Sequence, residues 1–237
     1  MRERIRQRFA KAHSHYAQNA SVQAVMAQRL IELLWQYFPS HHVQTTLEIG
    51  CGTGNLTRQF LQHYMPNELI LNDLYDVNAT GQFDGFAQDC NLQFLLGDIQ
   101  QLALPTQFFD VILSNAVLQW LQPLEPVLSK LHHALRDDGV LVFSSFLSDN
   151  LKQIKQLTGH GLIYDDMATL RQRVENAGFN ILTVQQQHDE LYFATPYAVL
   201  KHLQATGVTA TGQNFRWTKS RLQQFEQDYQ QFRCEQG

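Results

Sequence analysis

Three glycines at alternate positions, Gly50, Gly52 and Gly54, follow the short apolar run Leu47-Glu48-Ile49 and precede a helical pattern that begins at Asn55. A strand that feeds such a turn can hold a nucleotide-like ligand. Glycine admits positive φ and lets a ligand approach more closely than a Cβ allows, and the start of the next helix offers unpaired N–H groups. Asp73 ends a second apolar run, Leu69-Ile70-Leu71-Asn72, and stands 23 residues after Gly50. An acid placed there can accept both hydroxyls of a ribose. A dinucleotide fingerprint, G-x-G-x-x-G, would require glycine at position 55, which is Asn55. The pattern present is G-x-G-x-G preceded by Glu48. Two later runs end in polar residues, Phe94-Leu95-Leu96-Gly97-Asp98-Ile99 and Phe108-Phe109-Asp110-Val111-Ile112-Leu113-Ser114-Asn115. The plain alternative, a glycine-rich connection with no ligand, has to explain all four runs in this order.

The elements that would position these residues follow from hydrophobic periodicity. Residues 1–44 form a helical preface, with Val22, Val25, Met26, Leu30, Leu33, Leu34 and Tyr37 on one apolar stripe. Residues 45–147 alternate strand-like and helical runs: a helix over 55–64, a second over 124–135, and a fifth strand over 139–146 entered through Asp138-Gly139. Such alternation predicts an α/β fold with a doubly wound, mostly parallel sheet covered on both faces. Residues 148–237 read as helices over 165–177, 196–205 and 219–232, with strand runs at Phe179–Val184 and Glu190–Ala194. The whole chain reads as one domain.

Composition narrows the classes. With 237 residues, 44% of them hydrophobic, the chain is long enough for one domain with a large core. The balance of 18 Lys+Arg against 22 Asp+Glu, net −4, gives no global reason to expect nucleic-acid or membrane binding. Cys51, Cys90 and Cys234 form no C-x-x-C pair, and the ten histidines bring no acid or cysteine at ligand spacing, so no metal is expected. No apolar run reaches the roughly 18 residues of a membrane span, and the basic N-terminus has no signal-peptide core behind it. A cytoplasmic location is expected.

The glycine turn with Glu48 resembles motif I of the class I S-adenosylmethionine-dependent methyltransferases, which have a Rossmann-like sheet. The resemblance implies S-adenosyl-L-methionine as cofactor and S-adenosyl-L-homocysteine as product. It places Glu48 near the methionine amino end, Gly50, Gly52 and Gly54 under the sulfonium nucleoside, Asp73 and Leu74 at the ribose, Asp98 and Ile99 at the adenine, and Ser114 and Asn115 beside the reactive methyl. Three segments narrow it further: Arg8-Phe9-Ala10-Lys11-Ala12-His13-Ser14-His15-Tyr16, Ser114-Asn115-Ala116-Val117-Leu118-Gln119-Trp120, and Tyr192–Gly207 with its Leu-Lys-x-Leu-x-x-x-Gly helix. Together they are similar to the malonyl-acyl-carrier-protein O-methyltransferases of biotin synthesis, over nearly the whole chain. Trans-aconitate methyltransferases share a Gln-Trp segment and also esterify a carboxylate. A sensor that binds the cofactor without transfer is a third reading, opposed by the segment 114–120.

The resemblance implies a carboxyl O-methyltransferase acting on malonyl-acyl carrier protein, with Tyr16, Asn115, Gln119 and Trp120 on the substrate side and Tyr16 in an N-terminal helical lid. Tyr16 and Trp120 are equally read as packing aromatics, and Asn115 and Gln119 as caps of the helix after the fourth strand. The basic run of Arg2, Arg4, Arg6, Arg8 and Lys11 is expected to dock the acidic carrier protein, although such a run also suits a solvated face. Members of this class usually complete the sheet with a final antiparallel strand between strands five and six. Nothing after Lys219 reads as a strand. The chain is therefore expected to be truncated or to close its sheet differently, with a C-terminal helical insertion and a rearranged 179–194 region, or with a dimer formed by strand exchange.

Overall fold

The computed structural model describes residues 21–40, 42–79, 81–86, 90–159, 161–205 and 217–234. Two compact units emerge, one built from the described parts of Ala20–Phe146 with Met167–Val184, the other from the described parts of Leu147–Asp166 and Gln185–Gly237.

The first unit holds the sheet. Helix α1 (Ser21–Tyr37) leads into β1 (His42–Ile49), α2 (Asn55–Leu61), β2 (Met65–Asp73), β3 (Asn91–Leu96), β4 (Phe109–Asn115), α3 (Glu125–Ala134) and β5 (Leu135–Ser144), and α5 (Met167–Asn176) returns to it. The five strands are all parallel, in the order β3-β2-β1-β4-β5. β1 is buried nearly throughout from Thr45 to Ile49, as a central parallel strand covered on both faces must be.

Alternation along the strands sorts the two layers. Val111 and Leu113 of β4 and Val140 and Val142 of β5 pack with Ala27, Leu30, Ile31 and Leu34 of α1 and Leu56 and Phe60 of α2. Ile112 of β4 and Leu141 and Phe143 of β5 point the other way, toward Val127, Leu128 and Leu131 of α3 and Leu170 and Val174 of α5. The side-chain period of two thus gives a doubly wound layer structure. The register slips between Phe109 and Val111, opposite Leu135 and Val140. Gly139 lies in that slip, where a Cβ would stand 2.9 Å from the Phe109 carbonyl.

Chain order reverses around β1: β2 and β3 lie on one side, β4 and β5 on the other. The carboxyl ends of β1 and β4 border this switch point, the place where open α/β sheets take ligands.

In the second unit, α4 (Lys152–Thr158), α6 (Pro196–Ala205) and α7 (Lys219–Tyr229) share a small core of Ile154, Val199, Leu203 and Phe225, flanked by Phe193, Leu200 and Tyr229. The strands expected at Phe179–Val184 and Glu190–Ala194 do not form. Their β-rich composition is insufficient, because a strand is satisfied only by a paired neighbour and neither run has one among the described residues. Leu182 is 59% exposed and Leu191 45%, as expected of chain that lies outside a sheet. No helix among the described residues is long and apolar enough to cross a membrane.

Candidate functional site

The glycine turn is left-handed at all three glycines, with φ of 72° at Gly50, 52° at Gly52 and 74° at Gly54. Such values are open to glycine and strained for other residues. The Gly50 and Cys51 N–H groups both donate to the Asn72 carbonyl at the end of β2, at 2.8 and 3.0 Å. Asn72, itself buried, uses its side-chain amide to tie β2 to the Leu95 and Gly97 carbonyls at the end of β3. A Cβ on Gly50 would run into Val117, and one on Gly54 would lie 2.5 Å from Phe86 and 2.7 Å from Phe83. At Gly52 the nearest atom is 4.0 Å away. Two of the glycines are thus required by packing inside the protein, while the third faces open space, as a ligand cradle does.

Asp73 lies directly against this turn. One carboxylate oxygen accepts the Gly52 N–H at 2.9 Å, and the other accepts the Leu74 N–H at 2.7 Å. An ionised carboxylate can accept about four hydrogen bonds, the kind of capacity a vicinal diol draws on. The spacing along the sequence brings this acid to the glycine turn. What it could not show is the Gln82 side chain, which donates to the Gly52 carbonyl at 2.9 Å and so holds the same residue from its other side. Nor could it show that Phe83 and Phe86, carried by the loop after β2, fill the space beside Gly54, with Arg58 over the Phe86 ring at 5.0 Å. The one sequence signal for that loop was its Asn78, Gly81 and Gly85 turn chemistry; Asn78 accepts the Phe83 N–H at 3.2 Å.

Glu48 is 1% exposed and accepts the Thr57 hydroxyl at 2.7 Å. Burial, opposed by the Thr57 hydrogen bond and reinforced by the Asp73 charge, pushes its carboxyl up to about 8. The same burial raises the Cys51 thiol far above its ordinary range, so this turn carries no thiolate at neutral pH. For Glu48 the folded value lies above the unfolded one, so stability tied to this group is fully present below about pH 4.5 and is lost as pH rises to about 8. Glu48→Gln, which retains an acceptor for Thr57, is expected to flatten the fall in unfolding midpoint across that window. Denaturant titrations at its two ends measure this, and an unchanged slope would contradict it.

Asp98 closes the turn after β3 by accepting the Gln100 N–H on its side chain at 2.9 Å and the Gln101 and Leu102 N–H groups on its carbonyl. Ile99 is 3% exposed and belongs to the core. Lys130 of α3, which sequence reasoning missed, donates to the Ile99 and Leu102 carbonyls and secures this turn. Desolvation lowers its pKa, and the Asp98 charge opposes that.

At the end of β4, Ser114 is fully buried and its hydroxyl donates to the Ile49 carbonyl. Asn115 donates to the Gln23 carbonyl of α1 at 2.9 Å and accepts the Ser144 hydroxyl at 2.6 Å. Gln119, in the short 3-10 turn Leu118–Trp120, donates to the Ala116 carbonyl at 2.7 Å. Neither amide caps that turn, which has no side-chain cap. Trp120 is partly buried at its end. Tyr16 and the basic residues Arg2, Arg4, Arg6, Arg8 and Lys11 lie outside the described residues. The structure thus gathers Glu48, the three glycines, Asp73, Leu74, Ser114 and Asn115 around the ends of β1, β2 and β4, and sets Asp98 and Ile99 after β3. Among the described residues no three His, Cys, Asp or Glu side chains converge as a metal site.

Comparison with known proteins agrees with this geometry. Residues 47–143 match the family of methyltransferase domains. The malonyl-[acyl-carrier protein] O-methyltransferase of Acinetobacter baylyi is 40% identical over 235 residues, covering 98% of this chain and 90% of that protein. Among solved structures, the YcgJ protein of Bacillus subtilis superposes with a TM-score of 0.61 at 13% identity, over 84% of this chain and 82% of that one. A 1,6-didemethyltoxoflavin-N1-methyltransferase of Burkholderia thailandensis, solved with 1,6-didemethyltoxoflavin and S-adenosylhomocysteine bound, gives 0.56 at 21% identity, over 75% and 78%.

Proposed function

The chain belongs to the family of malonyl-[acyl-carrier protein] O-methyltransferases, which are S-adenosyl-L-methionine-dependent, and we propose that it esterifies the free carboxylate of a malonyl group held on acyl carrier protein. The observation that carries the cofactor part of this reading is the left-handed turn whose Gly52 faces open space while its N–H is held by the Asp73 carboxylate. These residues fit a nucleoside: a Cβ-free floor, a carboxylate with acceptor capacity for the ribose, and a buried acid, Glu48, at the turn's entrance. S-Adenosyl-L-methionine supplies a methyl group activated by a sulfonium charge.

The chain's own part is positioning. A malonyl carboxylate, with an ordinary pKa of about 4, is already ionised at neutral pH, so no residue has to remove a proton. Holding two reactants in line accounts for roughly 7 to 11 kcal/mol of barrier. Asp73 fixes the nucleoside, Glu48 offers a buried carboxyl that can hydrogen-bond the cofactor's ammonium group, and the Ser114–Trp120 segment borders the transferred methyl. Transfer neutralises a cation and an anion together, so a water-poor site favours it. The ester removes the charge at the malonyl end, the form in which that unit would enter chain elongation toward biotin. In this reading Tyr16, ahead of the core-packed α1, supplies the lid, and the basic run near the N-terminus meets the acidic carrier.

Steady-state assays with malonyl-acyl carrier protein, malonyl-coenzyme A and trans-aconitate test the acceptor. The carrier-bound malonyl group is expected to give the highest kcat/KM. Preference for trans-aconitate, or cofactor binding with no transfer to any of the three, would overturn the proposal.

A further inference from the structure

The end of β5 carries a residue that neither the glycine motif nor the Ser114–Trp120 segment includes. Ser144 pairs in register with Asn115 across the β4–β5 ladder. Its hydroxyl donates to Asn115 Oδ1 at 2.6 Å and accepts the Ala116 N–H at 3.0 Å, a donor it shares with the Ser144 carbonyl at 3.2 Å. Because that oxygen must be the Asn115 acceptor, the other end of the amide is committed as donor to the Gln23 carbonyl at 2.9 Å. The carboxamide is therefore held at both ends, by the Gln23 carbonyl and by the Ser144 hydroxyl.

Ala116, the next residue, has φ of 55°, a left-handed conformation that L side chains adopt only when their surroundings impose it. Its peptide groups are held on both sides, the N–H by Ser144 and the carbonyl by Gln119 at 2.7 Å. The strain lies where β4 ends at the switch point, between Asn115 and Val117, whose side chain blocks the space above Gly50. A left-handed residue at this place turns the chain back toward the glycine turn. Without the Ser144 hydroxyl the Ala116 N–H would keep the Ser144 carbonyl at 3.2 Å, while Asn115 Oδ1 would lose its donor.

We infer that Ser144 is a positioning residue for methyl transfer, its hydroxyl fixing the Asn115 carboxamide beside the strained Ala116 peptide so that the β4 end presents a single geometry to the acceptor. This rests on the proposed reading that the β4 end borders the transferred methyl. Its energetic logic is that of near-attack placement, in which a shift of about 1 Å can cost on the order of 100-fold in rate.

The test compares Ser144→Thr with Ser144→Val, two branched side chains of the same shape that differ in the hydroxyl alone and that both suit a strand. With the full chain and malonyl-acyl carrier protein, S144V is expected to lower kcat at least about tenfold relative to S144T. Calorimetry should find their affinities for S-adenosyl-L-homocysteine within about twofold of each other. The Asn115 carboxamide protons, read by NMR with no acceptor present, should shift in S144V and hold their place in S144T. Equal kcat for the two variants, an equal loss of kcat and product affinity, or an unmoved Asn115 signal in S144V would each overturn the inference. A wild-type chain inactive on the malonyl thioester would contradict the acceptor assignment instead, while the Asn115 signal would still decide whether Ser144 sets that amide.

Discussion

Asp73→Ala weakens S-adenosyl-L-homocysteine binding by about 1.5 to 3 kcal/mol, the range for hydrogen bonds to a charged partner. Two losses combine in this variant. The ribose loses its acceptor, and the Gly52 and Leu74 N–H groups lose theirs, so the turn is no longer held toward β2. Asp73→Asn does not restore binding, because one carboxylate oxygen becomes an NH2 group that faces either the Gly52 or the Leu74 N–H. Isothermal titration calorimetry with the product reads both variants. A dissociation constant unchanged in Asp73→Ala would remove this residue from the ligand site.

Gly50→Ala is expected to lose about 2 to 5 kcal/mol of folding stability, from positive-φ strain of about 1 to 3 kcal/mol and overpacking of similar size. The added methyl meets Val117, a branched side chain with little room to swing, at a φ of 72°. Gly52→Ala shares the backbone penalty but has open space before it, so it should lose less stability and more cofactor affinity. Denaturant unfolding of the two variants, alongside product titrations, separates the roles. Equal stabilities for Gly50→Ala and the natural chain would mean that the turn does not press on Val117 as described.

The ladder of five strands was legible because parallel strands buried on both faces are short, apolar and bounded by turn residues. Each of the four site-bearing runs ended at the sheet edge that its polar terminal residue suggested. The expected strand at Phe179–Val184 shows the limit of such reading. Composition marks a run that can be extended, whereas pairing depends on a neighbour supplied by distant chain. Asn115 illustrates another limit. Its sequence position placed it correctly at the end of β4, but its amide is committed to Gln23 and Ser144, partners 92 and 29 residues away. Gln82 and Lys130 were invisible for the same reason: single polar side chains acquire their roles only when the fold brings a carbonyl of another element to them. Tyr16 and the basic run, readable only through the family resemblance, lie outside the described residues.

The central claim is that this fold carries a methyl group to the malonyl carboxylate, and mass spectrometry tests it most directly. The chain is incubated with malonyl-acyl carrier protein and S-adenosyl-L-methionine bearing a deuterated methyl group, and the phosphopantetheine-linked product is then fragmented. The predicted result is one deuterated methyl on the terminal carboxyl oxygen, released by mild alkaline hydrolysis, with one S-adenosyl-L-homocysteine formed per ester. A label found on carbon, nitrogen or the carrier polypeptide, or S-adenosyl-L-homocysteine formed without any labelled ester, would contradict it.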